Sequence, residues 1–223
     1  LNVIGSWSCG VPTSTTLATW ESTVTGANTV SLGADVSCLG VAMTSPGGLV
    51  TINSGSTLSI YGSGIDMSAS TQSFTMNNLV ALAANQSWTV NTSKTLTAAA
   101  AISGAFGITK AGAGALTLSG TNTFTGGVTH NAGTLNIDAA AALGTTAGTY
   151  TLTAGTLDLG GFNLTTGTFS STNTNTRSIS FGSNNIILTH TTAAQTVLSM
   201  ADVTGLTTTS TTGGFVSNAS VTR

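Results

Sequence analysis

Charge is what this sequence has least of. Its 223 residues include four lysines and arginines and six aspartates and glutamates, a net charge of −2. A typical soluble domain is roughly a quarter charged. The absence of a basic stripe excludes nucleic acid as a partner and argues against an anionic membrane surface. No apolar run approaches the ~18–20 residues of a membrane-spanning helix, so no membrane insertion is expected within this segment. Helix-forming stretches are confined to 79–85, 97–101 and 138–143, each shorter than the ~12–15 residues an isolated helix needs. Aromatic residues make up 5% and do not cluster along the chain. There are two cysteines, Cys9 and Cys38, with no Cys-x-x-Cys pair and no Cys/His cluster. A metal site therefore has no support, and no cofactor is expected. A Cys9–Cys38 disulfide stapling the amino-terminal coils and a pair of buried free thiols remain alternatives.

What is present is apolar and hydroxylic. Hydrophobic residues reach 40%, glycine fills 28 positions and threonine about a fifth of the chain. Disordered chains combine few hydrophobics with high net charge; this one does neither, and its Val, Ile, Leu and Phe residues are spread over the full length. An ordered core follows, with a surface wetted by hydroxyls, amides and backbone.

Period-two alternation recurs in short runs such as Leu58-Ser59-Ile60, Leu116-Thr117-Leu118, Leu135-Asn136-Ile137 and Leu157-Asp158-Leu159. Bounded by Gly, Asn and Ser, these runs read as strands and turns. They are also self-similar: Gly114, Gly133 and Gly155 each precede a small residue and then an apolar–polar–apolar triplet. Leu116 and Leu135 are nineteen residues apart, Leu135 and Leu157 twenty-two. A period near twenty is one turn of a solenoid.

The fold expected is therefore all-β: a parallel β-helix, right-handed because parallel crossovers almost always are, with coils of about 19–22 residues. Stacking at ~4.8 Å gives eleven or so coils and a rod of roughly 50 Å. Leu58, Leu116, Leu118, Leu135, Ile137, Leu157 and Leu159 are the candidate inward ladder. Thr117, Asn136 and Asp158 stack outward. The whole of 1–223 reads as one continuous domain, with 1–35 as an irregular end coil or cap and 195–223 as an irregular tail. With no initiator Met, leader or closing element, the sequence reads as a mature product or an excised piece of something longer.

The run Gly107-Ile108-Thr109-Lys110-Ala111-Gly112-Ala113-Gly114-Ala115-Leu116-Thr117-Leu118-Ser119-Gly120-Thr121-Asn122-Thr123-Phe124-Thr125-Gly126-Gly127, followed by Asn131-Ala132-Gly133-Thr134-Leu135, resembles the passenger-associated strand repeat of bacterial autotransporters. Asn85-Gln86-Ser87-Trp88 upstream and Leu159-Gly160-Gly161-Phe162-Asn163 downstream extend the likeness to about residues 82–170. The resemblance implies a secreted β-helix on a Gram-negative-type surface, as in large adhesins. It implies no catalysis and carries no family active site. A translocator barrel and a leader, which that family has, are not seen in the sequence.

Candidate chemistry is sparse. Asp138 and Asp158 are twenty residues apart, about one coil, and paired carboxylates can act as acid and base. Coil alignment, however, sets Asp158 over Asn136, and no Arg, Lys or His falls at a matching position. Both read as solvated surface acids. His130 and His190 read as surface or turn residues, and Lys110 as covering a strand edge or meeting a carbonyl. The Thr-x-Thr patches at 121–125, 151–153 and 172–176 suggest water-ordering arrays, but their spacing varies, and β-branched propensity is the simpler cause. Asn85, Asn91, Asn163 and Asn218 begin formal glycosylation acceptors, as chance provides in an Asn/Ser/Thr-rich chain. The functional expectation is a non-enzymatic extracellular or cell-surface rod, adhesin-like and capable of end-to-end or lateral self-assembly. Its partners would be its own copies, surface glycans, or host or neighbouring cell surfaces. A carbohydrate-binding or carbohydrate-degrading β-helix is the first alternative, and an ice-binding β-solenoid the second.

Overall fold

The computed structural model describes residues 11–140, 143, 148–189 and 196–217. Among them every regular element is a strand, and every strand pairing is parallel. In most strands residues i and i+2 point inward and the residue between points outward. This is visible in burial patterns such as that of Ala115–Leu118, where Leu116 and Leu118 are buried and Thr117 is half-exposed. The alternation read from the sequence is thus the inside and outside of a tube wall.

The strands form a three-sided β-solenoid. The first face runs from Leu17–Trp20 through Gln86–Val90, Ile108–Ala111 and Val128–His130 to Leu198–Ser199. The second runs from Asn28–Val30 through Thr95–Ala98, Ala115–Leu118, Thr134–Ile137 and Gly155–Asp158 to Leu206–Ser210. A third face is built from Leu164–Thr166, Ile186–Leu188 and Phe215–Ser217. At the amino-terminal end its place is taken by Leu79–Leu82 and Ile102–Ser103, and by the leading halves of Val36–Met43 and Thr57–Met67. Those two long strands run round the corner from third face to first, and a register shift between Cys38 and Gly40 marks the bend.

The first and second faces each stack nine strands, which makes about eight turns rather than the eleven expected. Coil length explains the difference. Val50 pairs with Phe74 across twenty-four residues, and Ile179 with Thr208 across twenty-nine. The nineteen-residue step from Leu116 to Leu135 is the short end of the range.

Leu116, Leu135 and Leu157 pair in one inward column of the second face, continued upstream by Leu96 and downstream by Ile179. Leu118 pairs with Ile137 in the next inward column, and Leu159 is likewise fully buried. Leu58 does not belong with them. It lies on the third face between Val36 and Val80, because the same apolar–polar–apolar signature arises on any face of a coil. The ends are also more regular than expected. Leu17–Trp20 and Asn28–Val30, inside the stretch read as a cap, already pair with the next coil, and Phe215–Ser217 still pairs with Ile186–Leu188.

The corner between first and second faces calls for glycine: Gly114, of the repeat, is barred from carrying a side chain by the close Asn91 carbonyl, with no left-handed φ. Gly112, Gly133 and Gly155 occupy it in three successive coils with φ of 74°, 72° and 93°, a left-handed conformation that glycine adopts without steric cost. A Cβ on any of them would strike a carbonyl of the preceding coil: that of Val90, Gly114 or Gly133 respectively.

Candidate functional site: a polar interior corner and two hydroxyl faces

The same corner holds the most unusual chemistry in the molecule. On the first face one inward column passes from Ile65 to Trp88, Lys110, His130 and Leu152. Lys110 is 0% exposed, and its ammonium donates to the carbonyls of Ala111, Gly112 and Ala132 at 2.8–3.0 Å. It meets carbonyls as expected, but from inside the tube. Burial pulls its pKa down to about 8.

His130 corrects the surface reading: it is 0% exposed. Its Nε2 lies 3.1 Å from both the Ala132 and Gly133 carbonyls and its Nδ1 2.9 Å from the Tyr150 hydroxyl. With Nε2 donating to the carbonyls, Nδ1 is left to accept the Tyr150 O–H. Burial, then the Lys110 charge, hold its pKa down at about 4 against the opposing pull of the two carbonyls. Burial also raises the Tyr150 phenol well above its ordinary value. The reason His130 turns inward is positional: it is the third residue of the strand Val128–His130, in which the first and third side chains are buried and the second is half-exposed.

Further along, Arg177 is 1% exposed. Its guanidinium donates to Ser171 Oγ and to the carbonyls of Ser171, Asn175, Asp202 and Thr204 at 2.6–3.0 Å. Where the chain turns between faces, carbonyls point inward; that of Gly133 also accepts the Thr156 amide of the next coil, while for those of Ala111, Gly112 and Ala132 the side chains are the donors. Lys110, His130 and Arg177 supply the missing donors. This is structural chemistry, closed to substrates.

Other expected sites disperse. Asp158 pairs with Asn136, and Asp138, two residues beyond Asn136 in an adjacent column, is exposed and accepts from Ser119 Oγ. The two carboxylates therefore stand in different outward columns. Cys38 is fully buried, its thiol pushed up to about 12 by burial, with no disulfide partner among the described residues. Cys9, His190 and Asn218 lie outside the described residues. Asn85 and Asn163 bridge coils: their Oδ1 atoms accept the Gly107 and Asn185 amides, and Asn185 repeats the device on Gly214. The signal for this was the one-coil spacing of Asn163 and Asn185. No cluster of three or more His, Cys, Asp or Glu side chains suited to a metal occurs among the described residues.

A shallow groove of about 290 Å³ follows the corner of third and first faces, lined by Asn85, Gly107, Ile108, Thr109, Gly126, Gly127 and Thr129. Its bare floor reflects close backbone packing, since a Cβ on Gly107 would lie 2.6 Å from the Gly126 carbonyl.

The outward residues, by contrast, form ranks. On the second face Thr29, Thr51, Thr75, Thr97 and Thr117 pair in five successive coils, followed by Asn136, Asp158, Ser180 and Thr209. A flanking column carries Thr95, Ala115, Thr134, Thr156, Ser178 and Thr207. On the first face Ser87, Thr109, Thr129, Thr151, Ser170 and Ser199 stack likewise. Variable coil length hid this order from the sequence: insertions sit at corners, while register on the faces is kept.

The class these observations define is a parallel β-solenoid with a glycine-cornered repeat, a polar interior corner and hydroxyl-rich walls. Comparison with known proteins gives the class its particulars. Residues 108–137 match the passenger-associated-transport-repeat; the chain carries an autotransporter passenger repeat and is a module of the bacterial cell surface or its exterior. The adhesin BmaC autotransporter of Brucella suis biovar 1 (strain 1330) is 36% identical over 157 residues, which are 63% of this chain and 4% of that protein. The chain thus spans a small fraction of that relative's length. No solved structure matches it.

Proposed function

We propose that the chain is a rigid, adhesin-like surface segment that spaces and displays contact surfaces away from the cell, without catalysis. The observation that carries this reading is the continuous nine-strand ladder on two faces, whose outward side chains are mostly hydroxyl or amide. Backbone bonds between coils give cohesion at ~0.5–1.5 kcal/mol net each, so the exterior is released from any role in holding the fold. The polar side chains able to do acid–base work are either sealed inside, as Lys110 and His130 are, or set apart, as Asp138 and Asp158 are. The partners this surface suits are uncharged and hydrogen-bonding: surface glycans, a neighbouring cell's coat, or further copies of itself.

The test displays the chain on a non-adherent bacterium through an unrelated surface anchor. Display is expected to raise attachment to cells or glycan-coated surfaces above that of the anchor alone, and to resist protease. Attachment equal to that of the anchor alone would overturn the adhesive reading. Release of reducing ends from a polysaccharide panel, lost in Asp158→Asn, would overturn the non-catalytic one.

A further inference from the structure

We infer that the corner between the third and first faces is a binding groove for an uncharged, extended oligosaccharide. The inference rests on the surface-display reading and gives its glycan partner a place and a chemistry.

Winding the chain gathers at this corner what the sequence keeps apart. Tyr61 and Phe106 are forty-five residues apart, yet they stand only two coils apart on one edge of the rod. Ile60 pairs with Leu82 and Val80 with Ile102, which carries the chain from Tyr61 past Ala83 and Ala84 to Phe106. Phe106 is 37% exposed and Tyr61 half-exposed. The coil between them has only Ala83 and Ala84 at that edge, so no bulky side chain separates the two aromatic residues. Phe106 also adjoins the groove of about 290 Å³, because its backbone packs against Gly126 in the lining. That volume is close to the ~300 Å³ at which small-molecule sites begin.

Free hydrogen-bonding groups line the same groove. The Gly107 amide holds Asn85 Oδ1 and leaves the Asn85 NH2 to other partners. Among the described residues, that NH2 and the hydroxyls of Thr109 and Thr129 have no hydrogen-bond partner. Sugars ask for this combination: donors and acceptors for their hydroxyls, and the negative face of an aromatic ring for their C–H face.

Spacing and charge narrow the occupant. Strands stack at ~4.8 Å, and successive rings of an extended glycan advance by about one coil. From Tyr61 to Thr129 the site crosses four coils, about 14 Å or roughly three to four rings. The lining carries no charge, and Asp66 stands in the far outward column of the first face. A uronate or sulfated chain would find no cation there, since Lys110 and Arg177 are sealed inside. The geometry therefore suits a neutral hexose polymer.

The purified chain is tested on an array of neutral hexasaccharides of glucan, mannan, galactan and chitin type, with hexuronates as controls. Calorimetry follows on the strongest binder. At least one neutral hexasaccharide is expected to bind, with affinity rising from disaccharide to tetrasaccharide as the coils are spanned. Phe106→Ala and Tyr61→Leu should each weaken binding about tenfold, as loss of an aromatic anchor does. Thr109→Val with Thr129→Val, which keeps shape and removes only hydroxyls, should weaken it severalfold with circular dichroism and melting unchanged. Phe162→Ala, exposed at the corner of second and third faces, should leave it intact. No binding to any neutral hexasaccharide would overturn the inference, as would hexuronates bound in preference. Equal affinity for a monosaccharide, or full affinity in both Phe106→Ala and the double valine variant, would overturn it too. Attachment by the displayed chain that these substitutions leave undiminished would sink this inference alone and leave the display reading standing.

Discussion

Two buried columns run side by side down the coils and are filled on opposite principles. On the second face Val50, Phe74, Leu96, Leu116, Leu135, Leu157 and Ile179 stack in register, each 0% exposed. Behind the neighbouring corner the sequence of side chains is Trp88, Lys110, His130, with Arg177 further along. On a flat face every amide and carbonyl is taken by adjacent strands, so the interior needs only apolar volume. At a corner the backbone turns off the ladder and aims carbonyls inward, where an unpaired one costs ~1–3 kcal/mol. The contrast teaches that this fold buries cations as corner pieces, where they satisfy the backbone rather than a reaction.

The sharpest way to break the contrast is Arg177→Met. It leaves apolar volume in place but removes every donor to four carbonyls and to Ser171 Oγ. We expect a loss of about 3–5 kcal/mol, because several neutral acceptors are left without a donor at about 1–3 kcal/mol for each that stays buried, read by urea unfolding. If apolar filling sufficed at corners, the loss would be under about 1 kcal/mol.

Next in size is Leu135→Ala in the apolar column. Leu135 is 0% exposed between Leu116 and Leu157, and truncation there should cost about 3 kcal/mol, transfer plus cavity. Leu135→Met, which keeps volume, should cost less than about 1.5 kcal/mol. The same measurement on Lys110→Met is expected to give about 2 kcal/mol, because the Ala111 and Gly112 carbonyls lose their donor while Ala132 keeps His130. Volume-keeping substitution would then be tolerated on the face and not at the corner.

How much of this could be read in the sequence follows from the same contrast. The faces were legible, since Leu116, Leu135 and Leu157 alternate with Thr117, Asn136 and Asp158, and period two fixes which side is in. The corners were not. His130 is polar, and its place as the inward third residue of Val128–His130 depends on the strand beginning at Val128, a boundary that pattern alone does not set. Leu58 is a core residue of the third face, a distinction the pattern does not make because all three faces share one signature. The in-register threonine rank was hidden for a related reason: coil length varies from nineteen to twenty-nine residues, so equal positions are not equally spaced along the chain.

The last effect is a pH dependence that belongs to the corner alone. His130 titrates at about 4 in the fold and near 6.5 when unfolded. Between those values the unfolded chain carries the extra proton, so stability rises with pH across the window and is lost as pH falls from 6.5 towards 4. The cause is geometric: a protonated ring would lose its role as acceptor for Tyr150 and would sit beside the Lys110 ammonium, which shares the Ala132 carbonyl. From pH 7 to pH 5 we expect a loss of about 2 kcal/mol. Asp202, whose carboxylate is held below its ordinary value by the Thr204 amide, contributes only at lower pH. Unfolding measured at pH 5 and 7 in the wild type and in His130→Phe isolates the contribution, since the variant cannot gain the proton. A slope unchanged by that substitution would mean that acid acts on the faces and that the corner is no weak point.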